Sequence, residues 1–238
     1  MNHYNELFDL SADILGEWKL KETMSDYPKA RIRVVFSGAS MLDSHILTNH
    51  DQNPPALSEL CGRFLTYRDL IECGETQEHT GISNLPNQYD SYTALLELAT
   101  ELLDPIIDNF GKIKLTYGFC SAELSQKITG RIAPKLDQHA ARERNRRGNH
   151  ICDRGGAAAD FLVESIDMIS VSCWIAENLP FDRMYIYGPD RPVHLSYAEC
   201  PKRQVTLMKA YGSENKLIPR TMSAEKFRAI LSPNNRLF

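Results

Sequence analysis

Apolar positions recur along this chain at two periods, and each change of period marks an element. Leu7, Leu10, Ile14 and Trp18 follow helical spacing, which predicts an amphipathic helix around Leu7 to Lys21. Arg31 to Phe36 then reads as a strand. His45, His50 and Asp51 lack fixed ligand spacing and read as loop residues, and Asn53-Pro54-Pro55 marks a boundary, because consecutive prolines resist both helix and central strand. Residues 1–56 are therefore read as an extension, 57–212 as the main domain and 213–238 as a tail.

Inside the main domain, Phe64 to Leu70 and Asn84 to Asn87 read as short segments and turns. Tyr92, Leu95, Leu96, Ala99, Leu102, Leu103, Ile106 and Phe110 fall on one face of a helix of roughly five turns. Asp90 or Ser91 is suited to cap it, Pro105 should bend it or end its regular part, and Gly111 should stop it. Lys112 to Phe119 alternates as a strand does. Residues 130–156 carry many charges without an apolar period, as functional or disordered loops do. Phe161-Leu162-Val163 is a strand, with Asp160 at its mouth, and Gly156 to Ala159 supplies small residues for close backbone approach. Asp167 should cap a helix carrying Ile169, Cys173, Trp174 and Leu179, which Asn178-Leu179-Pro180 ends. Phe181 to Tyr187, a turn at Gly188-Pro189-Asp190, and Val193 to Tyr197 predict an antiparallel pair. The tail is polar, contains Pro219 and Pro233, and ends in a helix over 223–231.

Composition narrows the possible settings. With 238 residues, 42% of them hydrophobic, the chain can bury one sizeable core. A formal charge of −4 argues against coating nucleic acid or an anionic membrane over the whole surface, while leaving room for a local basic patch. The six cysteines are scattered, without a C-x-x-C pair, which fits a reduced, cytoplasmic setting. The first residues lack the basic start and apolar stretch of a secretory signal, and no apolar run approaches a membrane span.

Two strand-borne residues carry the candidate chemistry. Asp160 and His194 lie in separate short apolar runs, so a carboxylate and an imidazole can face each other from adjacent strands as part of a metal site. A satisfied histidine at a tight strand crossing is the structural alternative.

From Phe64 to Met208 the order of elements resembles the zinc D-alanyl-D-alanine peptidase family, with its phage endolysin and hedgehog-like relatives. The resemblance rests on Leu102-Leu103-Asp104-Pro105-Ile106, on Leu115 to Leu124, on Gly156-x-Ala158-x-Asp160, and on Phe181-Asp182-Arg183 leading to Val193-His194-Leu195-Ser196-Tyr197. It implies an α+β fold, a small antiparallel sheet with packed helices. It also implies a zinc ion held by His, Asp and His, the first two within S-x-H-x-x-G-x-A-x-D. Asp160 and His194 match two of these ligands. For the first, Asp137-Gln138-His139 offers His139, with Asp137 as its supporting partner, while His150 and Asp153 compete; Asp153 stands seven residues before Asp160, the spacing the motif requires.

The catalytic positions depart from that family. Its substrate-holding arginine, in S-G-Y-R, corresponds to Cys120 in Tyr117-Gly118-Phe119-Cys120, and its general-base glutamate to Tyr187 or Asp190. Arg142, Arg144, Arg146, Arg147 and Arg154 offer guanidinium groups for phosphate or carboxylate, or else form a solvated arm. Cys120 and Cys152 are either thiol nucleophiles, with Glu143 or His150 as base, or plain buried cysteines. The expectation is a divergent zinc-dependent hydrolase whose basic loop directs an anionic substrate. A non-catalytic module that binds an anionic small molecule, a peptide or nucleic acid is the alternative.

Overall fold

The computed structural model describes residues 53–128, 133–211 and 216–231. The helix predicted at 7–21, the strand at 31–36, and His45, His50 and Asp51 lie outside the described residues.

A six-stranded sheet organises the fold. Its strands are β3 (Ile113–Tyr117), β4 (Ala157–Val163), β5 (Arg183–Ile186), β6 (Val193–Tyr197), β7 (Gln204–Tyr211) and β8 (Lys216–Ser223), in the order β3-β4-β6-β5-β7-β8. A two-stranded sheet, β1 (Leu60–Cys61) and β2 (Leu65–Thr66), precedes it. The larger sheet is mixed, because β5 and β7 run parallel while its other neighbours are antiparallel. The chain leaves the β5–β6 hairpin and crosses to the free side of β5, so the fold is mixed α/β and not built on an antiparallel sheet alone. Pro219 lies inside β8, opposite Met208. An edge strand tolerates a residue that cannot donate to a further neighbour, which is how a strand came to occupy a segment that reads as tail.

The long helix begins at α3 (Tyr89–Leu98), passes through a π-helical turn at Ala99–Leu103 and continues as α4 (Asp104–Phe110). The wider turn directly before Pro105 absorbs the missing donor and the bulk of the ring, so the helix continues past the proline. Gly111 ends it, as predicted. Neither Asp90 nor Ser91 is the N-cap residue. Gln88 holds that position without a side-chain cap, and Glu143 reaches in from the distant charged connection. Its Oε1 accepts from the Asn87 and Gln88 amides at 3.0 Å each and from Ser91 Oγ at 2.8 Å, while Oε2 accepts from Asn87 Nδ2 at 3.1 Å. Before α3 lie the short helices α1 (Tyr67–Ile71) and α2 (Glu75–Thr80), and α5 (Ala122–Ser125) follows β3. Helix α6 (Met168–Asn178) begins as predicted, with Asp167 Oδ1 accepting from the Ile169 and Ser170 amides at 3.0 Å, and α7 (Ala224–Leu231) closes the described chain.

Side chains alternate across the central strands. Ala159, Phe161 and Val163 share a face with Val193, Leu195, Met184 and Ile186, all of them buried. Helices α3 and α6 both pack against β4. The opposite face carries Asp160, His194 and Tyr185 in register. Asp160 stands in the middle of β4 and not at its mouth, because the three alanines before it are already extended and paired with β6. That pairing is tight at its start: a Cβ on Gly156, where φ is +67°, would stand 1.7 Å from the Tyr197 carbonyl oxygen. Gly156→Ala is expected to destabilise the protein by about 3 kcal/mol or more, through overlap with backbone that cannot swing aside. Urea denaturation of the variant measures this, and a midpoint unchanged from wild type would contradict the packing at the β4–β6 crossing.

Candidate metal centre

Three side chains from separate parts of the chain converge on the polar face of the sheet. Asp160 and His194 are direct cross-strand partners, so the pleat sends both to the same side. His194 Nδ1 lies 2.8 Å from Asp160 Oδ1. His139 arrives from a 3₁₀ turn, Gln138–Ala140, with Nε2 3.2 Å from Asp160 Oδ1 and 3.1 Å from His194 Nδ1. A bulge in β3 between Leu115 and Tyr117 sets Tyr117 opposite Asp160, its ring centroid 4.3 Å from that of His139.

The His139 turn is fixed at several points. The Asp137 carboxylate accepts from the His139 amide at 3.1 Å, and the His139 carbonyl accepts from the Cys120 amide at 2.8 Å. The ring Nδ1 lies 2.7 Å from the Gly118 carbonyl, an acceptor only, so Nδ1 carries the hydrogen and the neutral ring presents Nε2 as a lone pair. Asp137 therefore supports the turn through the backbone, while the carbonyl of Gly118 orients the imidazole. Gln138, buried beside it, donates to the Gly155 carbonyl at 3.0 Å and to Asp182 Oδ2 at 3.1 Å, and accepts from Ser196 Oγ at 2.8 Å. Ser196 is two residues beyond His194 on β6, so one buried network ties the loop to the strand that carries the other imidazole.

Lone pairs packed this closely repel unless a proton or a cation lies among them. Burial opposes charge on Asp160, yet His139 and His194 outweigh it and hold the carboxyl well below the usual range. Burial likewise pushes His139 down, but Asp160 beside it, Asp137 and the Gly118 carbonyl raise it above its ordinary value. Two imidazole nitrogens and a carboxylate oxygen are a donor set for a borderline divalent ion. Tetrahedral ligands at about 2.0–2.2 Å from zinc stand roughly 3.3–3.6 Å apart, so a few tenths of an ångström of opening would admit one. The residues fit a metal ion, and His139, Asp160 and His194 are the group among the described residues that could hold one.

A cavity of about 310 Å³ opens beside the triad. Tyr117, Tyr187, Thr116 and Asp137 line it, together with Cys73 to Gln77 at the start of α2. Burial and the nearby Asp160 charge push the Tyr187 phenol up to about 12. Glu75 and its neighbours escaped sequence reasoning because α2 has no buried residue and hence no apolar period to read.

Other expected residues lie elsewhere. Asp190 is exposed in its turn and lines no part of the cavity, so it is not placed as a base. Glu143 is occupied by four hydrogen bonds before α3, which makes it structural rather than a base for a thiol or a water. Cys120 is buried away from the cavity, and burial pushes the Cys152 thiol up, opposite to what a nucleophile needs. Arg142 pairs with Glu97 at 2.7 Å, Arg154 Nη1 donates to the Tyr185 hydroxyl at 3.2 Å, and Arg144, Arg146 and Arg147 are exposed. None of these five arginines lines the cavity, so they are not placed to direct an anionic substrate into it. His150 and Asp153 are exposed and do not join Asp160 and His194, which His139 does.

Comparison with protein-family models, with curated proteins and with solved structures found no match. No helix among the described residues is long and apolar enough to cross a membrane.

Replacing Glu143 with Ala is expected to cost about 3 kcal/mol, because buried donors lose a charged acceptor; denaturant titration tests it, and a loss under 1 kcal/mol would contradict the anchoring role. The triad also predicts pH dependence for metal-free protein. Asp160, lowered on folding, stabilises above its unfolded value of 3.8, and that contribution is lost as pH falls below it toward the folded value. His139, raised on folding, stabilises below 6.5, and that contribution is lost as pH rises through its folded value. Stability measured from pH 3 to 9 should therefore lose this contribution on both flanks in wild type, and in Asp160→Asn it should not. Divalent-ion affinity should climb with pH until His139, raised above its ordinary value, has lost its proton, and level off beyond that point.

Proposed function

We propose that the protein is a zinc-dependent hydrolase acting on a small polar amide or ester, on a divergent form of the D-alanyl-D-alanine peptidase scaffold. The observation that carries this reading is the meeting of His139 Nε2, Asp160 Oδ1 and His194 Nδ1 at one wall of a cavity. Three protein ligands beside open space are the arrangement of catalytic rather than structural zinc. The same three residues are the ligands that the family resemblance implies. Zinc held there would supply Lewis-acid polarisation of a carbonyl oxygen and would acidify water.

The chain's own groups divide the remaining work. Glu75, a carboxylate on the cavity wall that is not one of the three ligands, takes the proton released as water attacks and returns it to the leaving group. Tyr187 keeps its proton at neutral pH and donates a hydrogen bond to the substrate oxygen on which charge develops. Thr116 Oγ1 donates to the Asp160 carbonyl at 3.2 Å, holding the strand that presents the carboxylate. Among the described residues no guanidinium lies on this wall to meet a substrate carboxylate, which favours uncharged polar groups over the acidic ends that the family the chain resembles holds with arginine.

Elemental analysis of purified protein should find close to one zinc per chain, falling below a tenth in Asp160→Ala and His194→Ala. Hydrolysis of a p-nitrophenyl ester should vanish with a chelator and return with zinc. Glu75→Gln should keep its zinc and lose roughly a hundredfold in kcat. Metal-free protein, or zinc unaffected by either ligand variant, overturns the reading; stoichiometric iron reassigns the centre to redox chemistry.

A further inference from the structure

The charged connection carries a second feature, separate from the cavity. Residues 142–154 hold five arginines against two acids, Glu143 and Asp153. Within it, Arg144 to His150 form a folded knuckle. Arg144 and His150 bridge as antiparallel partners, the Asn145 amide donates to the Asn149 carbonyl at 2.8 Å, and the Gly148 amide donates to the Asn145 carbonyl at 2.9 Å. Gly148, at φ +79°, supplies the left-handed residue that closes the turn. The Asn145 side chain accepts from the Arg147 and Asn149 amides at 2.9 and 3.2 Å, and the Arg144 guanidinium donates to the Gly148 carbonyl at 2.9 Å. Below the knuckle, buried Glu143 bolts its root to the start of α3, and Arg142 pairs with Glu97.

All seven residues of the tip are exposed, and none is acidic or apolar. Several arginines elsewhere are engaged: Arg63 with Asp108, Arg68 with Glu72, Arg203 with the carbonyls of Ala176 and Leu179, and Arg228 with Glu177. No acidic side chain among the described residues pairs with Arg146 or Arg147. A backbone already folded by its own hydrogen bonds holds these two guanidinium groups, so ligand binding need not order the loop.

From this we infer that the Arg144–His150 knuckle is a docking site for the phosphodiester backbone of single-stranded nucleic acid. Guanidinium groups bind phosphate oxygens in a bidentate manner and stack on bases, and the exposed side-chain carboxamide of Asn149 and imidazole of His150 belong to the same tip and can hydrogen-bond sugar or base edges. The tip lacks the apolar or aromatic residue that would anchor it in a bilayer, which disfavours a lipid headgroup. The inference does not depend on the metal reading, because none of these residues lines the cavity.

Fluorescence anisotropy with labelled 20-nucleotide single-stranded DNA and RNA tests it on the full chain. Binding is expected at 50 mM salt, with Arg146→Gln/Arg147→Gln weakening it at least tenfold and lowering the slope of log K against log salt by about 1.4 for two phosphate contacts. Arg68→Gln, on an arginine already paired, should leave affinity unchanged, and so should chelator or His194→Ala, which separates this result from failure of the metal proposal. Unaltered thermal unfolding of the double variant shows that the knuckle's loss is local. Absence of binding at 50 mM salt, or binding that the double variant leaves intact, overturns the proposal. Equal, variant-sensitive binding to poly-glutamate or to anionic phospholipid vesicles overturns the assignment to nucleic acid.

Discussion

The hydrogen bond from His139 Nδ1 to the Gly118 carbonyl is the constraint on which the site depends. It sets the tautomer, and with it the chemistry: a lone pair on Nε2 turned toward a carboxylate and a second imidazole. The carbonyl is available because the chain passes close to α1 at Gly118, where an added Cβ would stand 2.2 Å from the Leu70 carbonyl oxygen. The next amide, of Phe119, donates to that same Leu70 oxygen, and the amide of Cys120 donates to His139. Three consecutive residues after β3 therefore place the loop histidine, and the position where the resemblance leads one to expect a substrate-holding arginine serves through its backbone.

Around this contact the protein concentrates buried polarity. Gln138, Asp182, Ser196, Asp137 and Glu143 are all nearly inaccessible, and each is engaged. A partly satisfied network of this kind would be worse than an apolar core, whereas a satisfied one rigidifies what it joins. Directly after the His139 turn, Ala141 adopts φ 48°, a region a non-glycine residue enters only when its surroundings impose it. Local strain, the bulge in β3 and the dense hydrogen bonding thus occur within a few residues of the triad and hold its geometry.

Much of the framework was legible along the chain. The helical face from Tyr92 to Phe110 (apart from the exposed Leu96), the Asp167 cap, the β5–β6 hairpin and the facing of Asp160 and His194 follow from period, capping chemistry and pleat, all of which act over a few residues. The readings that missed shared a different origin. Asp190 and Glu143 have the right functional group for a base, but one faces solvent and the other fills a helix start more than fifty residues away. Glu75 sits in a short helix whose sequence carries no apolar signal. Pro219 reads as a break and stands in an edge strand.

What the sequence determined by itself, then, is which residues could form a helix, a strand or a turn, and that one carboxylate and one imidazole would share a face of neighbouring strands. Only the tertiary structure decided that His139 and not His150 or Asp153 completes the triad, that Glu143 is consumed in anchoring and that the arginines stand clear of the cavity. The reason is physical. Backbone periodicity is a local property, written every two or every 3.6 residues. Convergence of the Gly118 carbonyl with the side chains of His139, Asp160 and His194 depends on strand order, on a bulge and on a loop stapled by buried hydrogen bonds, none of which leaves a periodic mark.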